Sequence, residues 1–118
     1  MGENQKEVNK YVVQYSGIKQ NEKIQSGDII KVSIIFRTIS QSTNILFDEV
    51  FYKIYIKEGS TNVNVFDWTY ADVTNENSFM LDTSILIPRE YYIEVKGIKH
   101  NEEIFYPEAI KFEIVSEK

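Results

Sequence analysis

The 118-residue chain has no cysteine, which excludes disulfides, thiolate metal sites and cysteine nucleophiles, although it leaves the redox compartment open. Histidine occurs once, at His100, so a Ser-His-Asp relay would have to be built on that residue. Helix formers are scarce, with 2 Ala, 3 Leu and 2 Met, and that weighs against helices. No apolar run approaches the roughly 18 residues of a membrane span. Met1 to Lys10 is polar and charged, unlike the apolar core of a signal peptide. Read as a native terminus, it predicts a chain made and kept on the cytoplasmic side of its producing cell. Basic runs are missing too. The 11 Lys and 2 Arg are scattered and outnumbered by 18 Asp and Glu, for a net charge of -5, so neither nucleic acid nor a membrane is an expected partner.

What is present is a strand-former's composition: 17 Ile, 10 Val, 8 Tyr, 7 Phe and 1 Trp. With 42% hydrophobic and 26% charged residues the chain falls in the globular range, and its length suits one domain. A loose arm over 1–7 and a single domain over 8–118 are expected. Alternation carries the rest. Tyr11, Val13 and Tyr15 open a strand that ends at Ser16-Gly17, and Ile18 to Gln25 reads as a loop or short edge strand anchored by Ile18 and Ile24. Ile30, Val32, Ile34 and Phe36 form one face of a central strand. Val50, Tyr52, Ile54 and Ile56 form another, opposite Glu49, Phe51, Lys53, Tyr55 and Lys57. In the next strand Phe66, Trp68 and Tyr70 share a face, with Val63, Val65 and Asp67 on the other. A tip rich in Asn and Asp over 72–78 leads into Phe79, Leu81 and Thr83. Tyr91, Ile93, Val95 and Gly97 then alternate with Tyr92, Glu94 and Lys96, and Ile110, Phe112 and Ile114 with Lys111, Glu113 and Val115. Pro107 cannot donate to a ladder, so a bulge is expected near Pro107 to Ala109. The pattern predicts an all-β sandwich of about seven antiparallel strands with these inward residues as its core.

Two resemblances sharpen this. The segment Leu86-Ile87-Pro88-Arg89-Glu90-Tyr91-Tyr92-Ile93-Glu94-Val95 resembles the corner between the fifth and sixth strands of immunoglobulin-like and fibronectin type III sandwiches, and so implies an immunoglobulin-like β-sandwich. There, a tyrosine hydroxyl turns back onto the corner backbone. Parity with Ile93 and Val95 selects Tyr91, whereas the fibronectin spacing would select Tyr92. The order Phe66-Asp67-Trp68-Thr69, Phe79-Met80-Leu81-Asp82-Thr83-Ser84, Ile87-Pro88, Tyr91 to Lys96, Ile110 to Val115 is similar to C-terminal β-modules of structural proteins in tailed bacteriophages. This covers about the C-terminal half. It implies a non-enzymatic virion structural or accessory protein, located in the virion and binding other virion proteins or further copies of itself through sheet faces and edges.

Candidate sites emerge from the same pattern. His100 falls in a turn between Lys99 and Asn101, with no Gly-x-Ser-x-Gly nearby, which suits a solvated turn and not a catalyst. Asp72, Asn75, Glu76 and Asn77 offer oxygens to Ca²⁺, but their spacing departs from Asp-x-Asn-x-Asn-Gly, and such residues are ordinary turn formers. Glu102 and Glu103 are adjacent, so in a strand they face opposite ways and cannot flank one glycosidic bond. No catalytic residue, cofactor or metal site is therefore expected. The stripe of Phe51, Lys53, Tyr55 and Lys57 has no core to face, because the other side of its strand is already apolar, so its aromatics are expected to be half-exposed or covered by a partner. It is the leading candidate for a protein interface. The alternative is a carbohydrate- or cell-surface-binding module stacking a sugar on Trp68 and Tyr70, against which stands the usual fate of strand aromatics, burial in the core.

Overall fold

The computed structural model describes residues 11–38, 46–105 and 109–116. The expected arm over 1–7 and all but Ala109 of the bulge expected near Pro107 lie outside the described residues. Within them, strands β1 (Tyr11–Ser16), β3 (Ile29–Thr38) and β6 (Phe79–Asp82) form one sheet in the order β1-β3-β6. The larger sheet has the order β2-β9-β7-β4-β5, from Glu22–Gln25, Ile110–Val115, Glu90–Lys99, Glu49–Glu58 and Thr61–Tyr70. A further strand, β8 (Glu102–Phe105), pairs with β7. Two sheets facing each other across one core make an all-β sandwich.

Among the described residues there are nine strand segments: β1 and β2 follow one another in sequence but lie in different sheets, and β8 and β9 share one edge of β7. β1 runs antiparallel to β3, and the chain then changes sheets so that β2 lies parallel to β9. Gly17 makes that change. Its φ is 96°, and an added Cβ would sit on the Lys31 carbonyl, so only glycine lets the two segments pass. At the other end, β8 covers Lys96 to Lys99 of β7 and β9 covers Glu90 to Ile93, two segments sharing one edge.

Alternation is expressed as burial wherever the register is regular. Val32, Ile34, Phe36, Ile54, Leu81, Tyr91, Ile93, Val95, Ile110, Phe112 and Ile114 are buried, while Ile30 and Tyr52 are half-buried against the same cluster. Tyr52 holds its place by stacking on Phe79 of the facing sheet, with ring centres 3.7 Å apart. Phe47, ahead of β4, completes the core by setting its ring edge-on to Phe36 at 4.6 Å and directly on Gly97, where a Cβ would meet its ring carbons.

The corner after β6 is fastened by polar bonds alongside the buried Leu86. Thr83 is buried in a short 3₁₀ turn (Thr83–Ile85), where its hydroxyl donates to the Asp28 carbonyl at 2.6 Å and accepts from the Gly27 N–H at 3.0 Å. Asp82 caps the turn by accepting from the Ser84 N–H and hydroxyl, and these bonds hold its carboxyl below the usual aspartate range. The Tyr91 hydroxyl donates to the Ile87 carbonyl at 2.7 Å. That is the corner bond anticipated for Tyr91. Tyr92, on the opposite side of β7, stacks on Tyr55 instead.

Candidate functional site

The register of β5, β4 and β7 builds one continuous layer on the outer face of the larger sheet. Phe51 stands between Tyr70 of β5 and Lys96 of β7, Lys53 faces Glu94, and Tyr55 stands between Asn64 and Tyr92. The rings associate in pairs: Phe51 with Tyr70 at 4.5 Å and Tyr55 with Tyr92 at 5.3 Å, the latter nearly parallel. The lysines lie across the rings. Lys53 Nζ is 4.8 Å from the Trp68 ring centre, Lys96 Nζ is 4.6 Å from the same ring and 5.3 Å from Phe51, and Lys57 Nζ is 4.7 Å from Tyr92. Such placement lets an ammonium interact with the ring quadrupole while its alkyl stem covers apolar area. Lys53 also pairs with Glu94 at 3.5 Å.

This geometry corrects two expectations. Tyr55 is not half-exposed: it retains 7% of its accessible surface, because Tyr92 stacks on it and Lys53 reaches across it. Burial, followed by the nearby Glu94 charge and Tyr92, pushes its hydroxyl pKa up. Nor do Phe66, Trp68 and Tyr70 share a face. Tyr52 pairs with Thr69 but Ile54 pairs with Phe66 and Tyr55 with Asn64, so β5 carries two extra residues, one within Asp67-Trp68 and one at Val65. Each insertion reverses the parity of the residues beyond it. Phe66 consequently packs against the core, while Trp68 lies under the lysines of the outer face.

Asp67 holds the first bulge. Its carboxylate accepts from the Trp68 N–H at 2.8 Å and from Asn64 Nδ2 at 3.4 Å, and its carbonyl accepts from the Thr69 hydroxyl at 2.7 Å. An aspartate inside a strand run is the signal that marks this departure, since its side chain competes with the ladder for backbone N–H groups. The outcome is that the two rival candidate sets merge. Phe51, Lys53 and Lys57 of β4 and Trp68 and Tyr70 of β5 form one surface. Tyr92, Glu94 and Lys96 of β7 join it, residues to which alternation alone assigns no role. Phe51 and Trp68 are half-exposed, Lys57 is exposed, and Tyr70 keeps 65% of its surface.

The remaining candidates lie elsewhere. His100 sits at φ 54° in the β7 to β8 turn, exposed, with its N–H donating to Asp48 Oδ2 at 3.1 Å. At the 72–78 tip the polar atoms fasten the tip to itself and to β3. Asp72 Oδ1 accepts from the Thr74 N–H and hydroxyl, Asn77 Nδ2 donates to the Ile34 carbonyl at 3.0 Å, and Lys31 reaches Asn75 at 3.2 Å. Glu76 and Asn77 take positive φ there, as turn formers do. Glu102 and Glu103 fall in β8, opposite Lys99 and Ile98.

No protein-family model matches the chain, and no curated protein matches it in sequence. Among solved structures it is similar to an endo-beta-1,4-mannanase from Thermotoga petrophila, at 15% identity and a TM-score of 0.49. The likeness covers 90% of this chain and 20% of that one, so the chain spans about a fifth of the enzyme's length.

Proposed function

We propose that this chain is a non-catalytic binding module that holds a partner protein against the outer face of its larger sheet, as a structural or accessory component of a tailed-bacteriophage virion. The binding half of this reading is carried by one observation, the convergence of Phe51, Lys53, Lys57, Trp68 and Tyr70 on a single surface from two strands. The virion half rests on the resemblance of the C-terminal half to phage β-modules. A rigid, strand-borne layer of aromatics suits association, because interfaces draw most of their energy from a few large anchors already held in place. Phe51 and Tyr70 are the anchors best placed for this, being paired with each other while still reaching solvent.

The test is incorporation. Phe51→Ser with Tyr70→Ser is expected to abolish co-sedimentation with particles, with the circular-dichroism spectrum unchanged. Tyr55 is left intact because it is buried. Co-sedimentation at the wild-type level by the double variant, or loss of glycan binding by Trp68→Ala with incorporation intact, would overturn the proposal.

A further inference from the structure

Independently of the outer-face reading, we infer that the free edge of β5 joins a second copy of this chain, the two strands pairing antiparallel about a two-fold axis at Val63. Among the described residues β5 is the longest strand that ends a sheet, with 10 residues against 6 in β1 and 4 each in β2 and β6. Such edges are ordinarily blunted by lysine, proline or bulges. β5 has neither lysine nor proline, and its two bulges, at Val65 and within Asp67-Trp68, fall beyond Asn64. The stretch from Thr61 to Asn64 stays in regular register with Glu58 to Tyr55, is exposed throughout and bears no charge.

The hairpin fixes which backbone groups are open. Gly59-Ser60 is a two-residue turn in which Gly59 alone takes positive φ, at 65°, and such a type II′ turn closes on a hydrogen-bonded pair, here Glu58 and Thr61. Bonded and open pairs alternate along the ladder. Thr61 and Val63 therefore turn their N–H and C=O groups to β4, while Asn62 and Asn64 turn theirs away. An antiparallel partner strand must set its own outward residues opposite these. With Val63 on the axis, Asn62 of each copy meets Asn64 of the other, and every outward group of both residues is bonded. Centred on Asn62, the next outward pair would fall on Ser60 in the turn; centred on Asn64, it would fall on Phe66 past the Val65 bulge. The strand is thus self-complementary in one register. On the inward side that register sets Val63, 40% exposed and paired with the half-buried Ile56, against its own copy, so an apolar row crosses the axis. On the outer side asparagines meet, and within the paired stretch no charge faces a like charge.

Sedimentation velocity of the full chain at rising concentration tests this, with variants whose circular-dichroism spectra match the wild type. The wild-type chain is expected to pass from monomer to dimer. Val63→Lys and Val63→Glu each place like charges on the axis, so each alone should raise the dimer dissociation constant about tenfold or more, and an equimolar mixture of the two should restore pairing. Asn64→Pro removes an outward N–H while sparing the β4 ladder, and should give the same loss by a different route. Phe51→Ser with Tyr70→Ser should dimerise as the wild type does, since the outer face takes no part. A wild-type chain that stays monomeric up to about 1 mM would overturn the inference. So would a dimer that survives both Val63→Lys and Asn64→Pro, a charge-swapped mixture that stays monomeric, or loss of the dimer in the Phe51, Tyr70 variant.

Discussion

Tyrosines show most sharply what one residue's parity decides. Tyr91 and Tyr92 are adjacent and chemically identical, yet one is buried with its hydroxyl on the Ile87 carbonyl and the other lies on the outer face. Tyr91→Phe should therefore cost about 1 kcal/mol or more by leaving that carbonyl without its donor, and Tyr92→Phe less. Urea denaturation of both variants checks this, and equal costs or the reverse order would contradict it. Burial pushes the hydroxyl pKa up at Tyr15, Tyr52, Tyr55 and Tyr91, with the Glu94 charge adding to the shift at Tyr15 and Tyr55. Unfolded tyrosine ionises near 10.0, so stability is undiminished below that pH and falls as the pH rises through the higher folded values. Alkaline titration by tyrosinate absorbance should show these four ionising late and together with unfolding. Uniform ionisation near the unfolded value with the fold intact would contradict the burial argument.

At the level of elements, regular strands are legible in the sequence and irregular ones are not. Tyr91 to Gly97 keeps strict alternation and its burial tracks it residue by residue, and Ile30 to Phe36 does so except at Ser33, which is buried on the opposite face where its hydroxyl donates to Glu76. In β5 two inserted residues break the count, so a period-two reading puts Phe66 and Trp68 on one face when they lie on opposite ones. Tyr55 departs from its expected exposure for another reason: its cover comes from Tyr92 on β7, a tertiary neighbour that alternation within β4 cannot supply. Gly97 is a case where the missing side chain is the feature. Its Cβ would fall 2.7 to 2.9 Å from the Phe47 ring carbons, so Gly97→Ala should destabilise by about 1–3 kcal/mol through overpacking. Adding Phe47→Leu should recover part of that loss, giving a double-mutant cycle that is not additive. Additivity within about 0.5 kcal/mol would show that the two residues do not compete for the same space.

For the molecule as a whole, composition and periodicity suffice to anticipate the sandwich and its core, but they do not assemble the candidate site. Its parts are visible as separate stripes on β4 and β5, and only the pairing of β4 with both β5 and β7 brings them into one layer. The same pairing leaves the outer face of the smaller sheet different in kind, with Lys31 engaged by Asn75 and Glu76 and no aromatic layer across β1, β3 and β6 among the described residues. Association is therefore expected to be one-sided, and lysine acylation followed by mass spectrometry measures this directly. In assembled particles, compared with the free chain, Lys53, Lys57 and Lys96 should be protected while Lys31 reacts as before. Protection of Lys31 with Lys57 left reactive would place the partner on the other sheet and contradict the account.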